Sequence, residues 1–218
     1  MGKIKAGIDS NMVGKVGPHV YRMWKGRNVA AILPASVHNP NTNKQQIVRT
    51  RFKKIIELAH QMYDGIFLGM SQRAQQNRFT ESNYFMRVNW SAVSASSPED
   101  ITVNYPDIKV AEGSIKNVTF GTTDWGSQEH LTIAVEFNGN IGSDADEDDD
   151  VYIMAYVPML GEAVLSTPSS RDTEEVSVAV PAGWSGMTAH LYGFCVGQGK
   201  STTGKVSNSA YIGHGEIA

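Results

Sequence analysis

Cysteine is almost missing from this chain: Cys195 is the only one in 218 residues. A lone thiol closes no internal disulfide, which excludes a small stapled scaffold. Its place in the apolar run "HLYGFCV" makes a buried structural thiol the expectation. Long apolar runs are lacking as well. The best stretches, such as Val29 to Leu33, fall far short of the roughly 20 residues that a membrane-spanning helix needs. The first ten residues, "MGKIKAGIDS", have no apolar core of a signal peptide, and Ala6 stands where N-myristoylation wants Ser or Thr. These absences predict a cytoplasmic chain, or a mature one trimmed of its leader. Signatures of chemistry are scarce too. The histidines at 19, 38, 60, 130, 190 and 214 show no zinc-ligand spacing and no H-E-x-x-H pattern, and no G-x-S-x-G elbow occurs. They read as structural or surface histidines, and no catalytic residue, cofactor or metal ligand is assigned.

What the chain does have is a lopsided charge. The net value of -3 conceals 14 Lys and Arg against 4 Asp and Glu in residues 1–93, a net +10, and 5 against 18 in residues 94–218, a net -13. Such asymmetry pairs a basic surface that meets an anion with an acidic surface that solvates or repels. With 41% hydrophobic residues, the chain can bury one good core or two small ones.

The local grammar changes along the sequence. "GKVGPHVYRMW" and "NVAAILP" read as two strands of a hairpin joined at Lys25-Gly26-Arg27, bracketed by Pro18 and Pro34. After the Asn39-Pro40 turn, Thr42 to Gln45 fits a capping box and predicts a helix entry. Val48, Phe52, Ile55, Ile56, Ala59, Met62 and Tyr63 follow at helical spacing as an apolar face. A second helix is predicted over 81–93, with Thr80 as N-cap and Phe79 and Tyr84 as a hydrophobic staple. The Ser-rich "SASSPED", residues 94–100, reads as a linker where the charge changes sign. Beyond it, short period-two strands such as "LTIAVEFNG", "DVYIMAYVP", "EVSVAVP" and "MTAHLYGFCV" predict an antiparallel β-sandwich of immunoglobulin or fibronectin type III shape. Trp125 and Trp184 fall in turn-like contexts, and neither is assigned to its core. The expected fold is therefore α+β: a basic hairpin-and-two-helix region over 1–93, a linker over 94–100 and an acidic sandwich over 101–218.

Two stretches imitate chemistry. "GKSTTGKV", residues 199–206, matches a P-loop at Gly199, Gly204 and Lys205. Val206 stands where Ser or Thr must hold magnesium, and the following "VSNSAYI" alternates as a strand, so a hairpin loop is expected. "SDADEDDD" sets Asp144, Asp146, Asp148 and Asp150 at the spacing of the first four EF-hand ligands. Asp149 replaces the required Gly, and Ala155 replaces the closing Glu. A solvated loop is the main reading, with calcium or a basic partner as the alternative; an ordered loop would need compensating charge, which another subunit would supply.

Lys44, Arg49, Arg51, Lys53 and Lys54 crowd the start of the first helix, where cations oppose the dipole at a cost of roughly some tenths of a kcal/mol each. Together with Lys15, Arg22, Lys25 and Arg27 they form the candidate partner-binding set. Nearby Tyr21, Trp24 and Phe52 offer stacking surfaces for single-stranded nucleic acid.

The segments "GKVGPHVYRMWKGRNVAAILP", "NPNTNKQQIVRTRFKKIIELA" and "KVSNSAYIG" resemble an uncharacterised family of Bacteroidetes proteins of about this length, a domain of unknown function. The likeness spans nearly the whole chain and implies no catalytic residues. A Gly-Lys-Val-Gly hairpin leading into an N-P-x-T-x-x-Q helix also resembles motifs of phage virion proteins. The expectation is a non-enzymatic structural subunit of a phage or phage-like assembly, capsid- or tail-associated. It would meet copies of itself and acidic surfaces of other assembly proteins, and reside in the virion or in host cytoplasm during assembly. A cytoplasmic nucleic-acid-binding protein ranks second, and a surface or secreted adhesin third. No membrane partner is expected.

Overall fold

In the computed structural model, residues 2–3, 12–36, 40–126, 130–136 and 144–218 are described. Contacts group the chain into two units, Met1–Thr42 and Asn43–Ala218. The fold is mixed α+β and mostly β, with four α-helices and several antiparallel sheets among the described residues. Asn39, of the expected Asn39-Pro40 turn, lies outside those residues, as does part of the stretch after the strand at 130–136.

The first unit exceeds the expected hairpin. Strands β1 (Gly2–Lys3), β2 (Gly14–Val16), β3 (His19–Trp24) and β4 (Arg27–Ile32) form a sheet in the order β1-β4-β3-β2. "GKVGPHVYRMW" is not one strand, because Val16 pairs with His19 across Gly17-Pro18. Gly17, at φ 57°, supplies the positive φ that the first place of such a two-residue turn demands. Lys25 and Gly26, both at positive φ, close the β3–β4 hairpin with the twist that matches its strands.

In the second unit α1 (Asn43–Gln61), α2 (Tyr63–Gly69), α3 (Ser71–Asn77) and α4 (Glu81–Val88) precede the main sheets. Four helices stand where two were expected. The helices α2 and α3 were not expected, and the two glycines of α2 serve close packing. A Cβ on Gly65 would sit 2.6 Å from Met154 Sδ, and one on Gly69 would sit 2.6 Å from the Val110 carbonyl oxygen. The helix predicted to reach residue 93 stops at Val88; a 3-10 turn, Trp90–Ala92, leads into β5 (Val93–Ala95). Its start is as expected, with the Thr80 hydroxyl accepting from Asn83 N–H and the Phe79 and Tyr84 rings 6.4 Å apart. Segment 94–100 lies inside the second unit, where it forms the end of β5 and the turn to its antiparallel partner β6 (Ile101–Val103).

Strand register then builds two cores. One sheet joins β7 (Thr119–Asp124), β8 (His130–Glu136) and β12 (Glu175–Ala179) in the order β12-β8-β7. The other has β9 (Asp150–Val157), β10 (Glu162–Leu165), β13 (Thr188–Val196) and β14 (Ala210–Glu216) in the order β10-β9-β13-β14, with β11 (Ser169–Ser170) also on β9. Along β8 and β12 buried and exposed residues alternate, as one covered face requires. Along β9 and β13 most residues of both parities are buried, because each parity has its own cover. Val151, Ile153, Ala155 and Val157 pack toward Leu131, Ile133, Val176 and Val178 of the smaller sheet. Met154, Tyr156 and Tyr192 pack instead with Ile55, Leu58, Met62 and Phe85 of the helices. The unit is thus layered as sheet, sheet and helices. Trp184, not assigned to the core, is 1% exposed and belongs to it. It sits in a 3-10 turn, Ala182–Trp184, and its indole N–H donates to Glu162 Oε2 at 3.1 Å.

Candidate functional site

The register of the N-terminal sheet decides where its cations go. Lys15 pairs with Val20, Arg22 with Val29 and Trp24 with Arg27, and residues directly opposite or two apart along a strand share a face. Lys15, Arg22 and Arg27 therefore lie together with Trp24, Val20 and Val29. The other face holds Val16, His19, Tyr21, Met23, Ala30 and Ile32, and Lys25 sits in the turn. None of residues 12–36 or 40–42 is buried.

The helix cations divide differently. Lys44 and Arg49 are exposed. The Arg51 guanidinium lies 4.2 Å over the Trp90 ring and donates through Nη2 to the Trp90 carbonyl, so it ties α1 to the turn at 90–92. Lys53 and Lys54 reach Glu57 at 3.8 and 3.9 Å. Arg51, Lys53 and Lys54 thus have partners inside the chain. The apolar stripe also divides: Ile55, Ala59 and Met62 are buried, whereas Val48, Phe52 and Tyr63 are exposed.

The two imitative stretches meet each other. Asp149, in the place that excluded an EF-hand, is buried, and its carboxylate accepts from Asp146 N–H at 3.0 Å, Gln198 N–H at 3.3 Å and the Thr202 hydroxyl. Arg171 supplies the counter-charge, with Nη1 3.4 Å from Asp149 Oδ2. Its guanidinium also donates to the carbonyls of Lys116 and Asn117 at 2.9 and 3.3 Å. Lys116 pairs with Asp144 at 3.3 Å, and Gln198 Nε2 donates to Asp150 at 2.7 Å. Compensation expected from another subunit therefore comes from within the chain. Ser143 lies outside the described residues, among which no group of His, Cys, Asp and Glu is arranged to hold a metal. The P-loop-like segment is the β13–β14 loop. Lys205 folds back to donate to the Ser201 carbonyl at 2.6 Å, and β14 follows instead of a helix.

One polar cluster was not legible beforehand. His190 on β13 and His214 on β14 stand opposite each other, and both Nδ1 atoms bond the Tyr211 hydroxyl, at 2.8 and 3.2 Å. A hydroxyl has one proton, so it can donate to only one of the two rings, and at least one histidine donates its Nδ1–H to the Tyr211 oxygen. Tyr105 stacks on His190 at 4.3 Å. Burial, helped by the nearby His214, lowers the His190 pKa to about 4. The signal was the hairpin register, which only the loop length between β13 and β14 could have supplied. Cys195 is buried with its thiol pushed up to about 11 by burial, and its Sγ–H donates to Asn117 Oδ1 at 3.2 Å. It is a structural group.

No helix among the described residues is long and apolar enough to cross a membrane. No curated protein and no solved structure matches the chain. A family of unknown function (DUF6266) matches it over residues 10–213, nearly its whole length, and the chain belongs to that family.

Proposed function

We propose that the chain is a non-enzymatic structural subunit of a phage or phage-like assembly, an accessory, decoration or connector piece docked through its basic N-terminal region. Its partners would be other copies of itself and acidic surfaces of neighbouring assembly proteins, in the virion or in host cytoplasm during assembly. The observation that carries this reading is a four-stranded sheet in which β2, β3 and β4 have no buried residue. Hydrogen bonding alone barely offsets the cost of ordering a backbone, so a sheet needs a covered face to be stable. This element is built to be completed by another molecule. The cations Lys15, Arg22 and Arg27 on one face select an acidic one.

The body, in the same reading, is a fibronectin type III-like sandwich. Supporting this is the grouping of its strands: β7, β8 and β12 in one sheet, β9, β13 and β14 in the other, with β10 on the edge of β9. Taken in order and leaving aside the two-residue β11, the first, second and fifth strands oppose the third, sixth and seventh, the division of immunoglobulin-like folds. Such a rigid body suits a spacer or decoration role.

Nucleic-acid binding is the second reading, favoured by Trp24, which shares its face with the cations. One experiment separates the two. Light scattering of the full chain across ionic strength, with and without labelled single-stranded DNA, is expected to show self-association at low salt. That association should fade as charges are screened over about 10 Å at 0.1 M, and the Lys15→Glu/Arg22→Glu/Arg27→Glu variant should lack it. A chain indifferent to salt and to polyanions would end the proposal, and DNA binding without self-association would establish the second reading.

A further inference from the structure

We propose that His190, His214 and Tyr211 form a binding site for one divalent transition-metal ion, copper(II) or zinc(II), shared between strands β13 and β14. The site lies in the second unit and does not depend on the docking role given to the basic sheet.

Strand geometry brings the three donors together. His190 and His214 are directly opposite across the antiparallel pair, where Cβ atoms stand about 5 Å apart, close enough for two imidazoles to reach one ion. Tyr211 precedes His214 by three residues, a spacing that in a regular strand sets two side chains on opposite faces. A bulge corrects this. The register passes from Leu191 opposite Gly213 to Tyr192 opposite Tyr211, which leaves Ile212 as the extra residue. Ile212 packs into the core between the sheets, whereas Tyr192 and Tyr211 pack on the helix side, the side that register gives to both histidines. Gly213, at φ 156°, takes a backbone geometry that side chains rarely adopt. Bulges that re-aim a side chain in this way are enriched beside functional sites.

The donor atoms already converge. The Nδ1 atoms of His190 and His214 lie 2.8 and 3.2 Å from one Tyr211 oxygen. Ligands held about 2.0–2.1 Å from an ion stand roughly 3 Å from their neighbours, so both hydrogen-bonded distances are also ligand-to-ligand distances. Among the described residues no three of His, Cys, Asp and Glu are grouped to hold a metal, and the phenol oxygen is what completes this set. On binding, each imidazole carries its one proton on Nε2 and the Tyr211 proton leaves to solvent. Two hydrogen bonds give way to three metal–ligand bonds. Tyr105, stacked on His190 at 4.3 Å, holds that ring, while the exposed His214 turns to close on the ion and leaves its remaining positions to water. Glu216 lies two residues along β14 on the same face, where its charge favours a cation. Two nitrogens and an oxygen without a thiolate suit copper(II) and zinc(II), of which copper(II) binds more tightly by the usual order of divalent ions. Because β14 is the edge strand of its sheet, the ion fastens that edge to β13.

The test uses the full chain, freed of metal by a chelator and titrated with copper(II) sulfate or zinc(II) chloride in a calorimeter and in thermal melting. Wild type is expected to bind one ion per chain at its tightest site and to melt at a higher temperature as the ion is added, because a ligand of the native state stabilises it. His214→Ala changes an exposed position; it should weaken that site by about tenfold or more and abolish the rise. His60→Ala removes an exposed histidine outside the cluster and should leave both unchanged. Tyr211→Phe should weaken binding and remove the visible charge-transfer band that a phenolate gives on copper(II). His190 is only partly exposed, so it is read in place: its ring proton signals should shift as zinc(II) is added to stoichiometry. The proposal would be overturned by the lack of stoichiometric binding, by binding that His214→Ala leaves at full strength or His60→Ala weakens equally, or by a copper(II) spectrum that Tyr211→Phe does not change.

Discussion

Arg171 and Asp149 face each other at 3.4 Å with side chains 1% and 0% exposed, the one ion pair buried on both sides among the described residues. The pair sits where the acidic stretch at 144–150, the connection from β11 to β12 and the β13–β14 loop converge. It holds a strongly acidic, self-repelling segment against the body. Removing one partner of such a pair strands the other without its counter-charge. Arg171→Met is therefore expected to cost about 3–5 kcal/mol of unfolding free energy. Urea denaturation checks this, and the Arg171→Met/Asp149→Leu double variant should lose clearly less than the two single losses added together.

The histidine cluster makes stability depend on pH in a definite direction. The folded His190 pKa of about 4 lies below the ordinary 6.5, so the unfolded chain takes up this proton first as pH falls. The contribution is fully present above pH 6.5 and is lost as pH drops toward about 4. His214 and Tyr211 on β14, Tyr156 on β9 and Tyr105 surround the ring, and none of them offers a carboxylate to hold its charge. His190→Gln is expected to flatten the fall of the urea midpoint across that window. An unchanged slope would show that other groups govern it.

Gly69 tests the account of the short helices. Its Cβ would meet the Val110 carbonyl oxygen and the Ala111 Cβ, both at 2.6 Å. Backbone cannot swing aside as a long side chain can. Gly69→Ala should cost about 1–3 kcal/mol, the usual range for overpacking. Gly183→Ala is the control: open space surrounds that position, and its melting temperature should stay level or rise slightly.

Cys195 should resist thiol reagents in the native chain. Burial denies access, and a thiol at about 11 leaves little thiolate at neutral pH. Labelling followed by absorbance is expected to stay slow until denaturant opens the core, then become complete. Fast labelling of folded protein would contradict the packing described for β13.

Some of this architecture was written in short stretches of sequence. The Thr80 cap, the Phe79–Tyr84 staple, the Lys25-Gly26 turn and the alternation along β8 and β12 are all set by rules that act over two to five residues. The location of Cys195 in the core followed from its apolar neighbours for the same reason.

Other features depended on residues far apart in the chain. The need for glycine at 65 and 69 came only with β9 and the segment at 110–111 packed against them. Trp184 looked like a turn residue until two sheets closed over it. Arg51 was one cation among five until Trp90, 39 residues on, came beneath it, and Asp149 found Arg171 at a separation of 22. His190 and His214 became a pair only when β13 and β14 aligned. The amino-acid sequence by itself determined two of the helix entries, the Lys25-Gly26 turn, the strand alternation and the excess of positive charge at one end. The tertiary structure alone decided which of those charges are paired inside the molecule and which side chains are covered, because burial and charge pairing are properties of neighbours in space.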